Sequence, residues 1–73
     1  MNLLQYIRQN YESFTEREKR IADYLLNDNN DIIEMSAKEI GDATNTSAPT
    51  VVRFSKTLGY KGFTALKVDL AKD

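Results

Sequence analysis

Two marked helix starts stand only eleven residues apart in this chain, close enough that the first helix must be short and must turn straight into the second. Ser36-Ala37-Lys38-Glu39 is a capping box, with Ser at the N-cap and Glu three positions on. Ser47 is a second N-cap residue, followed by Pro49 in the first turn, where a missing N–H costs nothing. Between the caps there is room for about two helical turns and a tight connection, the proportions of a helix-turn-helix over about residues 36–58. The first helix is expected to run through Thr44 with Ile40 in the core. Gly41 lacks the side chain that would hold the two helices apart at their crossing. Asn45-Thr46 makes the connection, Asn being the non-glycine residue that best tolerates a left-handed backbone. The second helix stops at Gly59, which suits the left-handed C′ position.

Periodicity divides that second helix. Val51, Phe54 and Leu58 stand at i, i+3 and i+7 and share a core face, while Ala48, Pro49, Val52, Arg53 and Lys56 lie away from it. A helix with small residues at its start and then Arg and Lys is shaped to enter a DNA major groove. Ser47, Ala48, Pro49, Thr50 and Arg53 are therefore the candidates for contact with base edges or nearby phosphates. Lys56 and Lys61 are read as phosphate contacts, which position a protein without specifying a sequence. Ser47 serves first as a cap, and the N–H groups at that helix start suit a phosphate as well. Phe54 and Phe63 could be stacking platforms for bases, but on apolar helical stripes the core reading is favoured. Tyr60 is expected to pack.

The remaining segments read as helices of one all-α domain, a small bundle of about five. Leu3, Leu4, Ile7 and Tyr11 form an apolar stripe over residues 3–11, destined either for the bundle or for a partner subunit. Ser13 and Phe14 break that pattern. Thr15-Glu16-Arg17-Glu18 is another capping box, opening a helix to about Asn27 with Ile21, Ala22, Leu25 and Tyr24 inward. Its other face, with Glu16, Arg17, Lys19, Arg20 and Asp23, alternates in sign and reads as solvated, with Glu16 and Arg20 at i, i+4. Asn27-Asp28-Asn29-Asn30-Asp31 is a loop that lacks the ligand spacing, central glycine and terminal glutamate of a calcium site. Ile32, Ile33 and Met35 form a short apolar turn. After Gly59, Tyr60-Lys61-Gly62-Phe63 makes another turn, and Phe63, Leu66 and Leu70 repeat on a last helix.

Composition narrows the chemistry. The 73 residues make one domain, and with neither Cys nor His there is no disulfide, thiolate site, imidazole base or zinc ligand. No enzyme activity, cofactor or metal is expected. No apolar run approaches membrane-spanning length, which implies a cytoplasmic protein, on the nucleoid when bound, with no membrane partner. The net charge of −1 is unusual for a DNA-binding domain. Its distribution is not: residues 1–46 carry five Lys/Arg against nine Asp/Glu, and residues 47–73 carry five against two. Local field, rather than net charge, steers a polyanion.

The segment Val51-Val52-Arg53-Phe54-Ser55-Lys56-Thr57-Leu58-Gly59-Tyr60-Lys61-Gly62-Phe63 resembles the helix-turn-helix of the RpiR family of bacterial transcription regulators. Phe14-Thr15-Glu16-Arg17-Glu18-Lys19-Arg20-Ile21-Ala22-Asp23-Tyr24-Leu25-Leu26 is similar to the same family, so the resemblance covers nearly the whole chain. It departs at the turn, where the family usually has Gly and then an apolar residue and this chain has Asn45 and Thr46. The resemblance implies a double-stranded DNA operator as partner, homodimer formation and control of sugar or sugar-phosphate metabolism genes. It also implies a following sugar-isomerase-like domain that binds the phosphosugar effector and helps form the dimer. That domain is absent from these residues, and Leu70-Ala71-Lys72-Asp73 ends in helical pattern without a C-cap glycine, as at a domain boundary. The competing reading is a helical module that grips a protein through the same face. Salt separates the two, because counterion release makes DNA affinity collapse as salt rises, whereas an apolar interface responds weakly.

Overall fold

The computed structural model describes residues 2–27 and 30–72, so Asp28 and Asn29, in the middle of the expected loop, lie outside the described residues. Among the described residues there are five α-helices and two single 3-10 turns, which is the all-α bundle expected. They are α1 (Leu3–Asn10), a 3-10 turn at Tyr11–Ser13, α2 (Glu16–Leu26), a 3-10 turn at Ile32–Glu34, α3 (Ala37–Ala43), α4 (Ala48–Thr57) and α5 (Phe63–Ala71).

The helix starts follow the caps. At α2 the Glu18 N–H donates to the Thr15 hydroxyl at 3.2 Å, and the Thr15 N–H donates back to the Glu18 carboxylate at 2.8 Å. At α3 the same reciprocal pair joins Glu39 and Ser36 at 3.1 and 2.8 Å. Each box satisfies two backbone donors that a helix start leaves without partners, and losing such a cap costs about 0.5–2 kcal/mol. Asn2 caps α1 in a simpler way, its side-chain oxygen accepting from the Gln5 N–H at 2.8 Å.

The bundle closes around one apolar core. From α1, Leu3 and Ile7 are buried within the bundle itself, which settles the destination of that stripe. Helix α1 packs on α2 and α5, and the Tyr11 hydroxyl at its end is pushed above its ordinary value, first by a hydrogen bond to Asp23 on α2. Ile21, Ala22 and Leu25 of α2 face inward as their spacing requires. Phe14 does end the α1 pattern, and the structure adds where its ring goes. The extended residue between the 3-10 turn and the α2 cap drops its ring into the core. The apolar turn at 32–35 is also divided, with Ile32 buried and Ile33 exposed.

Candidate nucleic-acid interface

Helix α4 packs against α2, α3 and α5, which supports it on three sides. Val51 and Phe54 are buried and Leu58 is half-buried, so the opposite face is left to solvent with Pro49, Arg53 and Lys56 exposed on it. Ser55, to which the sequence reading assigned no place, lies on the buried side, where its hydroxyl donates to the Val51 carbonyl at 2.9 Å. A hydroxyl satisfied one turn back along its own helix can be buried without the penalty of a missing partner. Phe54 and Phe63 are both core residues and present no ring for a base.

The turn before α4 is held by backbone geometry. Asn45 adopts φ 57°, the left-handed conformation anticipated for it. The Thr46 N–H then reaches the Gly41 carbonyl at 2.8 Å and the Asn45 N–H reaches the Asp42 carbonyl at 3.4 Å, which together form a Schellman motif with Asn at C′. Helix α4 ends in the same way: Gly59 has φ 101°, the Tyr60 N–H meets the Ser55 carbonyl at 3.0 Å, and the Gly59 N–H meets Lys56 at 2.9 Å. Gly41 lies at the crossing, where a Cβ would stand 2.6 Å from the Ser47 carbonyl carbon and 2.9 Å from the Ala48 nitrogen. No side chain fits there, because the obstacle is backbone.

Arg20 is a correction to the sequence reading. Instead of pairing with Glu16 on a solvated face, it reaches from α2 to the turn, donating from Nε to the Thr44 carbonyl at 3.0 Å and from Nη2 to the Asn45 carbonyl at 3.3 Å. A helix C-terminus carries partial negative charge and carbonyls without intrahelical partners, so a guanidinium there is favoured over a loose surface ion pair.

On the exposed edge of α4 three predicted residues form one line. The Ser47 hydroxyl accepts from the Thr50 N–H at 3.3 Å, the Ser47 and Thr50 hydroxyls are 2.9 Å apart, and Arg53 donates from Nη2 to the Thr50 hydroxyl at 3.3 Å. They border a polar recess of about 300 Å³ shared with Arg17, Asn45 and Thr46, and no acidic residue lines it. Lys61 stands apart from that line, in a second recess of about 710 Å³ with Val52 and the first turn of α5. Ala48 is half-buried at the crossing with α3, and Lys56 is exposed. Tyr60 packs, its hydroxyl donating to the Asp69 carboxylate on α5.

The cations divide into two groups. Lys38 pairs with Asp42 at 2.9 Å, Lys19 lies 3.9 Å from Glu12, and Lys67 donates to the Met35 carbonyl at 2.9 Å while lying over the Phe63 ring. Arg17, Lys56 and Lys61 have no ion pair or hydrogen bond among the described residues. The same holds for Arg8 and Lys72, whereas Lys56 and Lys61 lie on or just beyond α4 and Arg17 borders the recess beside it. Sequence reasoning placed both Arg17 and Arg20 on a solvated face. The signal that links them is their i, i+3 spacing, which puts them on one side of α2, but only the docking of α2 against the turn shows which side.

The sequence pattern of the helix-turn-helix domain of the rpiR family matches residues 1–73. An uncharacterised HTH-type transcriptional regulator of Escherichia coli, YfhH, is 39% identical over 72 residues, covering 99% of this chain and 26% of that protein. The Vibrio vulnificus NanR protein, solved in complex with ManNAc-6P, superimposes with a TM-score of 0.91 at 36% identity, over 99% of this chain and 28% of NanR. The N-terminal domain of ybbH from Bacillus subtilis gives a TM-score of 0.86 at 36% identity, over 96% of this chain and 85% of that one. The chain thus spans about a quarter of the length of the curated relative it matches.

Proposed function

Because the chain belongs to the rpiR family of helix-turn-helix domains, a family of DNA-binding transcription regulators, we propose that it is the operator-reading head of a longer bacterial regulator. Helix α4 enters the major groove with Arg53 at base edges, while Ser47 and Thr50 contact bases or the adjoining phosphate. Ala48 and Pro49 keep the helix start slim enough to approach, and Lys56 and Lys61 hold the flanking backbone. The observation that carries this reading is the Ser47–Thr50–Arg53 line, presented on a helix whose opposite face is locked into the core. Two copies engage two half-sites about one helical turn of DNA apart, since a single short helix reads too few base pairs for tight binding.

Sugar or sugar-phosphate genes are the proposed targets. The support is family membership together with NanR, which was solved with ManNAc-6P. On this reading a sugar-isomerase-like domain outside these residues takes the phosphosugar, as the relatives are about four times as long. Selection of bound oligonucleotides from a random pool tests the first part of the proposal. An enriched half-site supports it, and a pool that stays random through repeated rounds contradicts it.

A further inference from the structure

We infer that Arg17 of α2 is a backbone-phosphate contact that works beside the reading helix, so that the DNA is gripped from two elements at once. The inference rests on the reading of α4 given above. Arg17 and Arg20 lie three residues apart on one side of α2. Arg20 is committed to the Thr44 and Asn45 carbonyls, which fixes that side of α2 over the turn. Arg17 is thereby placed one helical turn nearer the start of α2, and it borders the recess whose other walls include Ser47, Thr50 and Arg53.

Arginines from two different helices thus border one small recess that no carboxylate lines. Arg53 is steadied by the Thr50 hydroxyl at 3.3 Å, whereas Arg17 is exposed and has no hydrogen bond or ion pair among the described residues. An arginine fork with no partner beside a second cation is matched by an oxyanion, and on a duplex seated against α4 the anion within reach is a phosphodiester. Bases are read from α4. Arg17 therefore contributes affinity and register but no sequence preference.

The test is a salt titration of the 73-residue chain on the selected oligonucleotide and on a random one, repeated for Arg17→Ala and Arg17→Lys. Each phosphate neutralised adds about 0.9 to the slope of log affinity against log salt. Arg17→Ala is expected to flatten that slope by about 0.9 per bound copy on both oligonucleotides, so for each copy a fourfold rise in salt weakens it about threefold less than the wild type. The ratio of selected to random affinity should not change, the melting midpoint should hold, and Arg17→Lys should restore the slope. A wild type that binds steeply while Arg17→Ala keeps the same slope overturns this inference alone, as does an altered ratio. A wild type indifferent to salt and sequence overturns the reading of α4 and this inference with it.

Discussion

The Arg20 Nε lies 3.0 Å from the Thr44 carbonyl oxygen, so a side chain from α2 caps the helix that leads into the turn. The same guanidinium reaches Asn45, the residue whose left-handed backbone sets the angle between α3 and α4. Arg20→Ala leaves both carbonyls to water and is expected to cost about 1–2 kcal/mol, spanning the upper end of ordinary hydrogen bonds and the lower end of those from charged donors. In a domain this small each kcal/mol lowers the melting midpoint by about 4–8 °C. Arg20→Lys should recover part of the loss, since an ammonium reaches one carbonyl but lacks the planar fork. Circular-dichroism melts of the three proteins check the order; equal midpoints would show that the contact adds nothing.

The Phe14 and Phe54 rings meet edge-on, with centroids 5.0 Å apart and planes at 89°. Phe54→Ala is expected to remove about 3–5 kcal/mol, much of the stability of a domain at the low end of the usual 5–15 kcal/mol, and to leave the chain largely unfolded at 37 °C. Phe14→Leu keeps most of the volume but loses the edge-to-face term of about 0.5–1.5 kcal/mol. Urea denaturation should show a smaller midpoint shift for Phe14→Leu than for Phe54→Ala. The reverse order would place Phe54 outside the core.

The crossing and the turn both resist bulkier side chains, for different reasons. Gly41→Ala drives a methyl against the backbone of Ser47 and Ala48, and is expected to cost about 1–3 kcal/mol while displacing the start of α4. DNA affinity should fall with stability. At Asn45 the constraint is φ rather than space, so Asn45→Gly is expected to be neutral or slightly stabilising and Asn45→Val to cost about 1–2 kcal/mol. Thermal melts that rank Val at or above Gly at position 45 would contradict the left-handed assignment.

What could be read in advance was whatever is encoded within a few residues. The capping boxes at Thr15 and Ser36, the Ser47 and Pro49 start, the left-handed Asn45 and the Gly59 stop are local statements of backbone geometry, and α2, α3 and α4 begin or end where they stand. The inner faces of α2 and α4 followed from periodicity. Arg20 was misplaced, and the ring of Phe14 was given no place, because their surroundings come from distant segments. Phe14 meets α4 forty residues on, and Arg20 meets carbonyls twenty-four and twenty-five residues on. Charge alternation on α2 looks the same whether an arginine faces water or a neighbouring helix end. Local pattern therefore found α4 and the residues aligned on its exposed edge, but not that Arg17 borders the same recess or that Arg20 holds the turn.

Base reading by Arg53 is decided by the ratio of selected to random oligonucleotide affinity, compared between wild type and Arg53→Ala. A bidentate arginine contact discriminates by about 1–3 kcal/mol, or roughly 5- to 150-fold. The substitution is expected to reduce the ratio by a factor in that range while the melting midpoint stays put, because Arg53 is exposed and holds only the Thr50 hydroxyl. An unchanged ratio, with selected and random affinities both equal to those of the wild type, would contradict it and take Arg53 out of the groove.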